Sequence, residues 1–270
     1  MALLFPACGD GNPMAEHRPF GRPPDTATPA PLAGGAEPSS GDPTAVPSAT
    51  AHDPGSQPGR ELLPDLQIMS PRELYIEDTE GARKIRFSTT VVNAGEGPLD
   101  IAGSYDADAG ITTATQRIHH EDGDVVEEIA GRFVFHPGHE HWHFKDFTML
   151  ELWTYGCDGE LDEMKATTGK GTFCAVDEVL ADETLPHVPE GPSFLECGQG
   201  VQGLSVGWSD TYTADLIGQE LDIDGVPDGR YAVRTLADPA GRLREKDDDN
   251  NDLVVYVEIT GAEIELLDGP

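Results

Sequence analysis

The sequence predicts an all-β protein: an antiparallel β-sandwich over residues 61–270, preceded by a disordered Pro/Gly/Ser-rich tail over residues 1–60. Three observations carry this. Apolar residues recur with period two, and helical periodicity is nearly absent. Gly-, Asn- and Asp-containing turns separate the periodic runs at the spacing of antiparallel hairpins. The first 60 residues hold 12 of the 22 prolines, among Ala, Gly, Ser and Thr, a composition that cannot bury a core. The remaining ~200 residues suffice for one domain with a sizeable core.

Taken in order, the period-two runs are Lys84–Val92, Gln116–His119, Arg132–Phe135, His143–Trp153, Gly171–Val176, Tyr231–Leu236 and Leu253–Ile259. Each places alternate side chains on one face, as a half-buried strand requires. The punctuation is Asn93-Ala94-Gly95, Asp122-Gly123, Asp158-Gly159 and Asp228-Gly229. A helical turn or two is expected near Asp177–Asp182, and no internal repeat is visible.

Formal net charge is −33. The first 60 residues carry six acids against three bases, so about −30 falls on the body. Such a surface repels nucleic acid and attracts cations, including metal ions and protonated amines. Solubility alone would also account for it. No run of 18 apolar residues exists to form a transmembrane helix. The start, Met1-Ala2-Leu3-Leu4-Phe5-Pro6-Ala7-Cys8, reads as the end of a secretory signal entering a lipoprotein-type cleavage site, with Cys8 the candidate lipid anchor. An ordinary short apolar terminus is the other reading. Three cysteines lie in the body, Cys157, Cys174 and Cys197, so at most one disulfide is expected among them, with one thiol left over.

Four of the nine histidines fall between His136 and His143. On a strand His139, His141 and His143 would share one face, with Glu140 and Trp142 on the other, and Pro137-Gly138 would let His136 approach from a turn. An all-imidazole set favours copper or zinc. A solvated histidine cluster is the bland alternative, and strands seldom place histidine at alternate positions.

With these residues in view, the chain resembles the lysyl oxidase family, secreted copper amine oxidases acting on peptidyl lysine. The resemblance runs from about Pro64 to Ile259. The family's copper motif is matched by Phe133-Val134-Phe135-His136-Pro137-Gly138-His139-Glu140-His141-Trp142-His143, whose last three histidines stand at the copper ligands. Further matches are Thr168–Asp177, Gly207–Asp215, and a set comprising Gln219–Ile223, Val226–Tyr231 and Asp249–Asn251, all in family order.

The resemblance implies that Lys170 and Tyr212 are cross-linked into lysine tyrosylquinone, the family's built-in cofactor. Copper and dioxygen oxidise the tyrosine ring, and the deprotonated lysine amine adds to it. Alone, Lys170 reads as one more surface lysine and Tyr212 as a core tyrosine. Asp210, two residues from Tyr212, shares its face on a strand and is a candidate base; an Asp holding a turn is the other reading. The acidic segment Glu245–Asn251 suits calcium, which takes oxygen ligands. The resemblance assigns calcium to Asp65, Leu66 through its carbonyl, Glu245, Asp247, Asn250 and Asn251. Without it the segment reads as an acidic turn.

The departures are Gly138, where the family has a cysteine, Gly169, where it has a histidine, and most of the family's disulfides. Of those disulfides, the resemblance retains Cys174–Cys197 and leaves Cys157 unpaired. It implies an exported enzyme, secreted or lipid-anchored, oxidising a cationic amine or lysine-bearing protein substrate. Two other readings stand beside it. One is a cupin-like mononuclear metal oxygenase using His139, His141 and an acid such as Asp146 or Glu151; the other is a non-catalytic copper- or calcium-binding module.

Overall fold

The computed structural model describes residues 59–79 and 82–270. The tail and the start around Cys8 lie outside the described residues, except that Gly59 and Arg60 join the body. The Gly59 amide donates to Asp122, and the Arg60 guanidinium donates to Glu121.

Among the described residues there are eighteen strands and no α-helix. The first six are β1 (Glu61–Leu62), β2 (Leu66–Met69), β3 (Leu74–Thr79), β4 (Ala82–Phe87), β5 (Thr89–Asn93) and β6 (Leu99–Asp106). Next come β7 (Ile111–His120), β8 (Val125–His136), β9 (His141–Tyr155), β10 (Leu161–Thr167), β11 (Gly171–Phe173) and β12 (Val179–Leu180). The last six are β13 (Val201–Leu204), β14 (Trp208–Tyr212), β15 (Glu220–Asp222), β16 (Gly229–Ala237), β17 (Asp252–Thr260) and β18 (Glu263–Leu267).

All pairings are antiparallel. The large sheet runs β13-β6-β7-β8-β9-β16-β17-β18, with β1 on β7 and β10 and β11 on β9. Two smaller sheets, β12-β14-β5-β2 and β15-β4-β3, complete the fold. One core joins the large sheet to the four-stranded sheet through Ile101, Phe133, Phe144 and Phe147 against Leu66, Val91 and Tyr212. A second joins it to the three-stranded sheet through Leu152, Tyr231 and Val257 against Ile85, Phe87 and Leu221. These are the packed layers of a sandwich.

Three local features differ from the sequence reading. The run Lys84–Val92 is two strands in different sheets, broken at Ser88, whose buried hydroxyl accepts the Arg72 and Glu73 amides. The expected helical turn near Asp177–Asp182 is absent: β12 lies there and pairs with β14. The reason is Asp177, whose buried carboxylate is taken up by the Ser193, Phe194 and Ser205 amides instead of capping a helix. Cys157 is not left over as a thiol; it is disulfide-bonded. Parity within the body misled, because the whole chain has four cysteines. The Cys174–Cys197 disulfide forms as the resemblance implied.

Candidate metal centre

The histidines sit on the β8–β9 hairpin. Phe133↔Phe144 and His136↔His141 set its register, and Pro137–Glu140 form the tip. The His136 carbonyl accepts the His139 and Glu140 amides at 3.1 and 2.9 Å, and Glu140 takes the left-handed φ of 59°. His139 therefore lies on the turn, not on a shared strand face. A tight hairpin reverses the chain, and the reversal brings His139 back over the end of β9.

The three imidazoles converge nonetheless. One nitrogen from each of His139, His141 and His143 lies within 4.8 Å of the others. The Ile217 carbonyl is 2.9 Å from His139 Nε2. A carbonyl only accepts, so that nitrogen carries the proton and Nδ1 keeps its lone pair. His143 Nδ1 pairs with the Thr172 hydroxyl at 2.9 Å, leaving Nε2 toward His139 Nδ1 at 3.2 Å. His141 Nε2 is buried with no hydrogen-bond partner.

An orphaned buried nitrogen beside two others whose outer nitrogens are already held fits an ion bound by three imidazoles. Burial also favours the neutral form of His143 and His141, as ligation requires. It holds His143 down to about 3 and lowers His141, with neighbouring histidines adding to both shifts. His136 packs on the cluster, its ring 4.4 Å from that of His139 and stacked at 4.8 Å on that of His143. It lies outside the converging set.

Tyr212, the last residue of β14, is buried against this cluster. Its hydroxyl lies 3.3 Å from His143 Nε2 and accepts the Cys174 amide at 2.9 Å, and its ring stacks on Phe173 at 4.0 Å. Burial pushes the phenol up, with Asp210 contributing. Asp210 shares Tyr212's side of β14 and lines the same cavity, and burial raises its carboxyl to about 7. It accepts the Val176 amide at 3.0 Å.

Lys170 is not brought against Tyr212. It is exposed on the turn before β11, where Gly169 adopts a φ of 66°, and it interacts electrostatically with Asp146. Thr172, Phe173 and the Ile217 carbonyl were not singled out from sequence. For Thr172 and Phe173 the available signal was their place two and three residues after Lys170.

β2 and the loop between β16 and β17 meet. The Glu245 carboxylate, buried, accepts the Leu66 amide at 2.7 Å and the Asn251 side-chain amide at 2.7 Å. Asn250 donates to Asp65 at 2.8 Å. The side-chain oxygens of Asn250 and Asn251 are buried without partners, and burial raises Glu245 to about 8. Unsatisfied oxygens around a buried acid suit a hard cation. Asp247 is exposed, and its carboxylate accepts the Asp249 amide.

The acids of the oxygenase reading are engaged elsewhere. Asp146 pairs with Lys145 at 2.9 Å and Arg242 at 3.2 Å, and Glu151 accepts Trp153 Nε1.

Residues 114–268 match the family model described as Lysyl oxidase. The chain is 27% identical over 225 residues to protein-lysine 6-oxidase of Rattus norvegicus, covering 79% of this chain and 51% of that protein. It is 32% identical over 142 residues to lysyl oxidase homolog 2 of Gallus gallus, covering 51% of this chain and 17% of that protein. Against lysyl oxidase homolog 1 of Homo sapiens it is 30% identical over 128 residues, 47% of this chain and 20% of that protein. The chain thus spans about half or less of the length of these relatives. With more than half of its residues matched to the family model, the chain belongs to the lysyl oxidase family.

Proposed function

We propose that the chain is a copper-dependent amine oxidase, converting primary amines or peptidyl lysine to aldehydes with a lysine tyrosylquinone built from Lys170 and Tyr212. The observation that carries the reading is the 3.3 Å approach of the Tyr212 hydroxyl to His143 within the histidine cluster. His139, His141 and His143 would hold the copper. When formed, the quinone and copper supply an electrophilic carbonyl and its reoxidation, so that a primary amine, dioxygen and water give an aldehyde, ammonia and hydrogen peroxide. The cross-link itself balances with two dioxygen molecules, releasing one water and one hydrogen peroxide as the lysine nitrogen replaces a ring hydrogen.

The residues divide the remaining work. Asp210, on the same side of β14 as Tyr212, takes the proton from the carbon next to the amine nitrogen. The Cys174 amide and the Phe173 ring hold Tyr212 in place. Thr172 and the Ile217 carbonyl orient His143 and His139, which turns their inner nitrogens toward the place proposed for the metal. Calcium held by Asp65, the Leu66 carbonyl, Glu245, Asn250 and Asn251, with Asp247 swinging in, would tie the start of β2 to the loop between β16 and β17. The disulfide and the acidic surface favour an exported protein meeting cationic substrates.

The exposed position of Lys170 favours a second reading, a copper-binding module in which the link never forms. Peptide mass mapping of copper-loaded, aerobically matured protein, with amine-dependent peroxide release measured in parallel, decides between them. A covalent Lys170–Tyr212 link with turnover supports the oxidase; stoichiometric copper without link or turnover supports the module.

A further inference from the structure

Two cavities meet at Tyr212. The first, about 350 Å³, is lined by Thr168, Gly171 and Thr172, together with Met149 and Glu220. The second, about 230 Å³, is lined by Val176, Leu216, Asp210 and the Cys174–Cys197 disulfide. Only His139 and Tyr212 belong to both walls. Adjacent residues on one turn divide them: Leu216 lines the second and Ile217 the first, and the Ile217 carbonyl is held by His139.

The proposed quinone gives the two cavities different tasks, and their assignment rests on that reading. Lys170 stands between Thr168 and Gly171, so its path to Tyr212 runs through the first cavity, and a route taken by a protein side chain is closed to substrate. The first cavity's carboxylate is also spoken for: Glu220 pairs with Arg86 at 2.7 Å and is 4.0 Å from Lys84. Asp210, the carboxylate on the second wall, has no ion pair among the described residues. A protonated amine is drawn to an acid without a cation, and a methylene chain to apolar walls. At ~230 Å³ the space is smaller than the roughly 300–1,000 Å³ of sites that enclose drug-sized ligands, which selects a slender chain.

We infer that the substrate amine enters through the second cavity, and that Leu216 and Val176 at its walls select an unbranched primary alkylamine whose nitrogen ends beside Asp210 and Tyr212. The first cavity serves maturation by admitting Lys170.

The test compares Leu216→Trp with Met149→Trp in the full chain, copper-loaded and matured in air, using n-butylamine as probe. Leu216→Trp should keep copper and the Lys170–Tyr212 link by peptide mapping, yet lose at least tenfold in kcat/KM. Met149→Trp should lower the linked fraction while turnover per link stays unchanged. Wild-type kcat/KM in Leu216→Trp, or lost turnover per link in Met149→Trp, would overturn the assignment. Should Leu216→Trp not fold, Leu216→Ala replaces it: widening should raise kcat/KM for benzylamine severalfold, and no gain would overturn the assignment. If wild-type protein forms no link, the quinone reading fails first and takes this assignment with it, an outcome distinct from a linked enzyme that feeds from the other side.

Discussion

The hydroxyl of Tyr212 and Nε2 of His143 stand 3.3 Å apart, so the residue proposed to become the cofactor already touches the cluster proposed to hold copper. Neither Tyr212 nor Lys170 is a metal ligand in this arrangement. Tyr212→Phe and Lys170→Ala should each retain stoichiometric copper by metal analysis while amine-dependent peroxide falls to background. Their stabilities should differ. Tyr212→Phe leaves the buried Cys174 amide without its acceptor, a cost of about 1–3 kcal/mol in denaturant unfolding. Lys170 is exposed, and its replacement should stay within about 0.5 kcal/mol of wild type. Full turnover in Tyr212→Phe would exclude a quinone at this position.

His141 contributes a buried nitrogen that bonds to nothing in the protein. Its replacement by Ala should therefore abolish stoichiometric copper while changing metal-free stability by less than about 1 kcal/mol. Retained copper at one equivalent would remove His141 from the ligand set.

Asp210 works as a base only when ionised, and burial raises its carboxyl to about 7. The limb of kcat/KM against pH that reports the free enzyme should rise through about pH 7. Asp210→Asn should abolish that limb together with most of the activity, with copper and the Lys170–Tyr212 link intact. An unchanged profile in Asp210→Asn would reduce Asp210 to a support of the Val176 amide.

Glu245 carries the clearest link between pH and stability. Its folded pKa, about 8, lies above the ordinary value of 4.5, so the folded state holds a proton that the unfolded state has released. The resulting stability is full below about pH 4.5 and is lost as pH rises toward 8, by up to about 1.4 kcal/mol per unit. Calcium would favour the ionised carboxylate and flatten this slope. Chemical denaturation from pH 5 to 8, with and without calcium, should show the slope only in the calcium-free protein and lose most of it in Glu245→Gln. A calcium-independent slope would leave the site as an empty acidic corner.

The Cys174–Cys197 bond closes a loop across 23 positions, and chain entropy values such a closure at about 3 kcal/mol. Cys197 also accepts the Trp142 amide, next to His143. The double variant Cys174→Ser, Cys197→Ser should lose about that much stability. It should also bind copper more weakly by competition titration, and unchanged copper affinity would separate the bond from the centre.

Period-two patterning is a local property, and it suffices to make the chain all-β and to mark β9, β16 and β17 as strands. Residue type and spacing likewise nominated His139, His141 and His143, whereas Lys170 and Tyr212, and with Tyr212 the neighbouring Asp210, came from the family resemblance carried by short matched segments. What patterning could not convey is how segments far apart in sequence turn toward one another. The reversal at Glu140, not a shared strand face, brings His139 to the cluster, since a left-handed turn residue cancels strand alternation. Ser88 splits one apolar run between two sheets. The Leu66 amide reaches Glu245 across 179 positions, whereas Asp247, two residues from Glu245, faces outward. The two cavities at Tyr212 exist only because β9, β11, β14 and the Leu216–Ile217 turn pack together. Each is decided by long-range packing and by which buried amides and carbonyls find partners, quantities that no window of sequence contains.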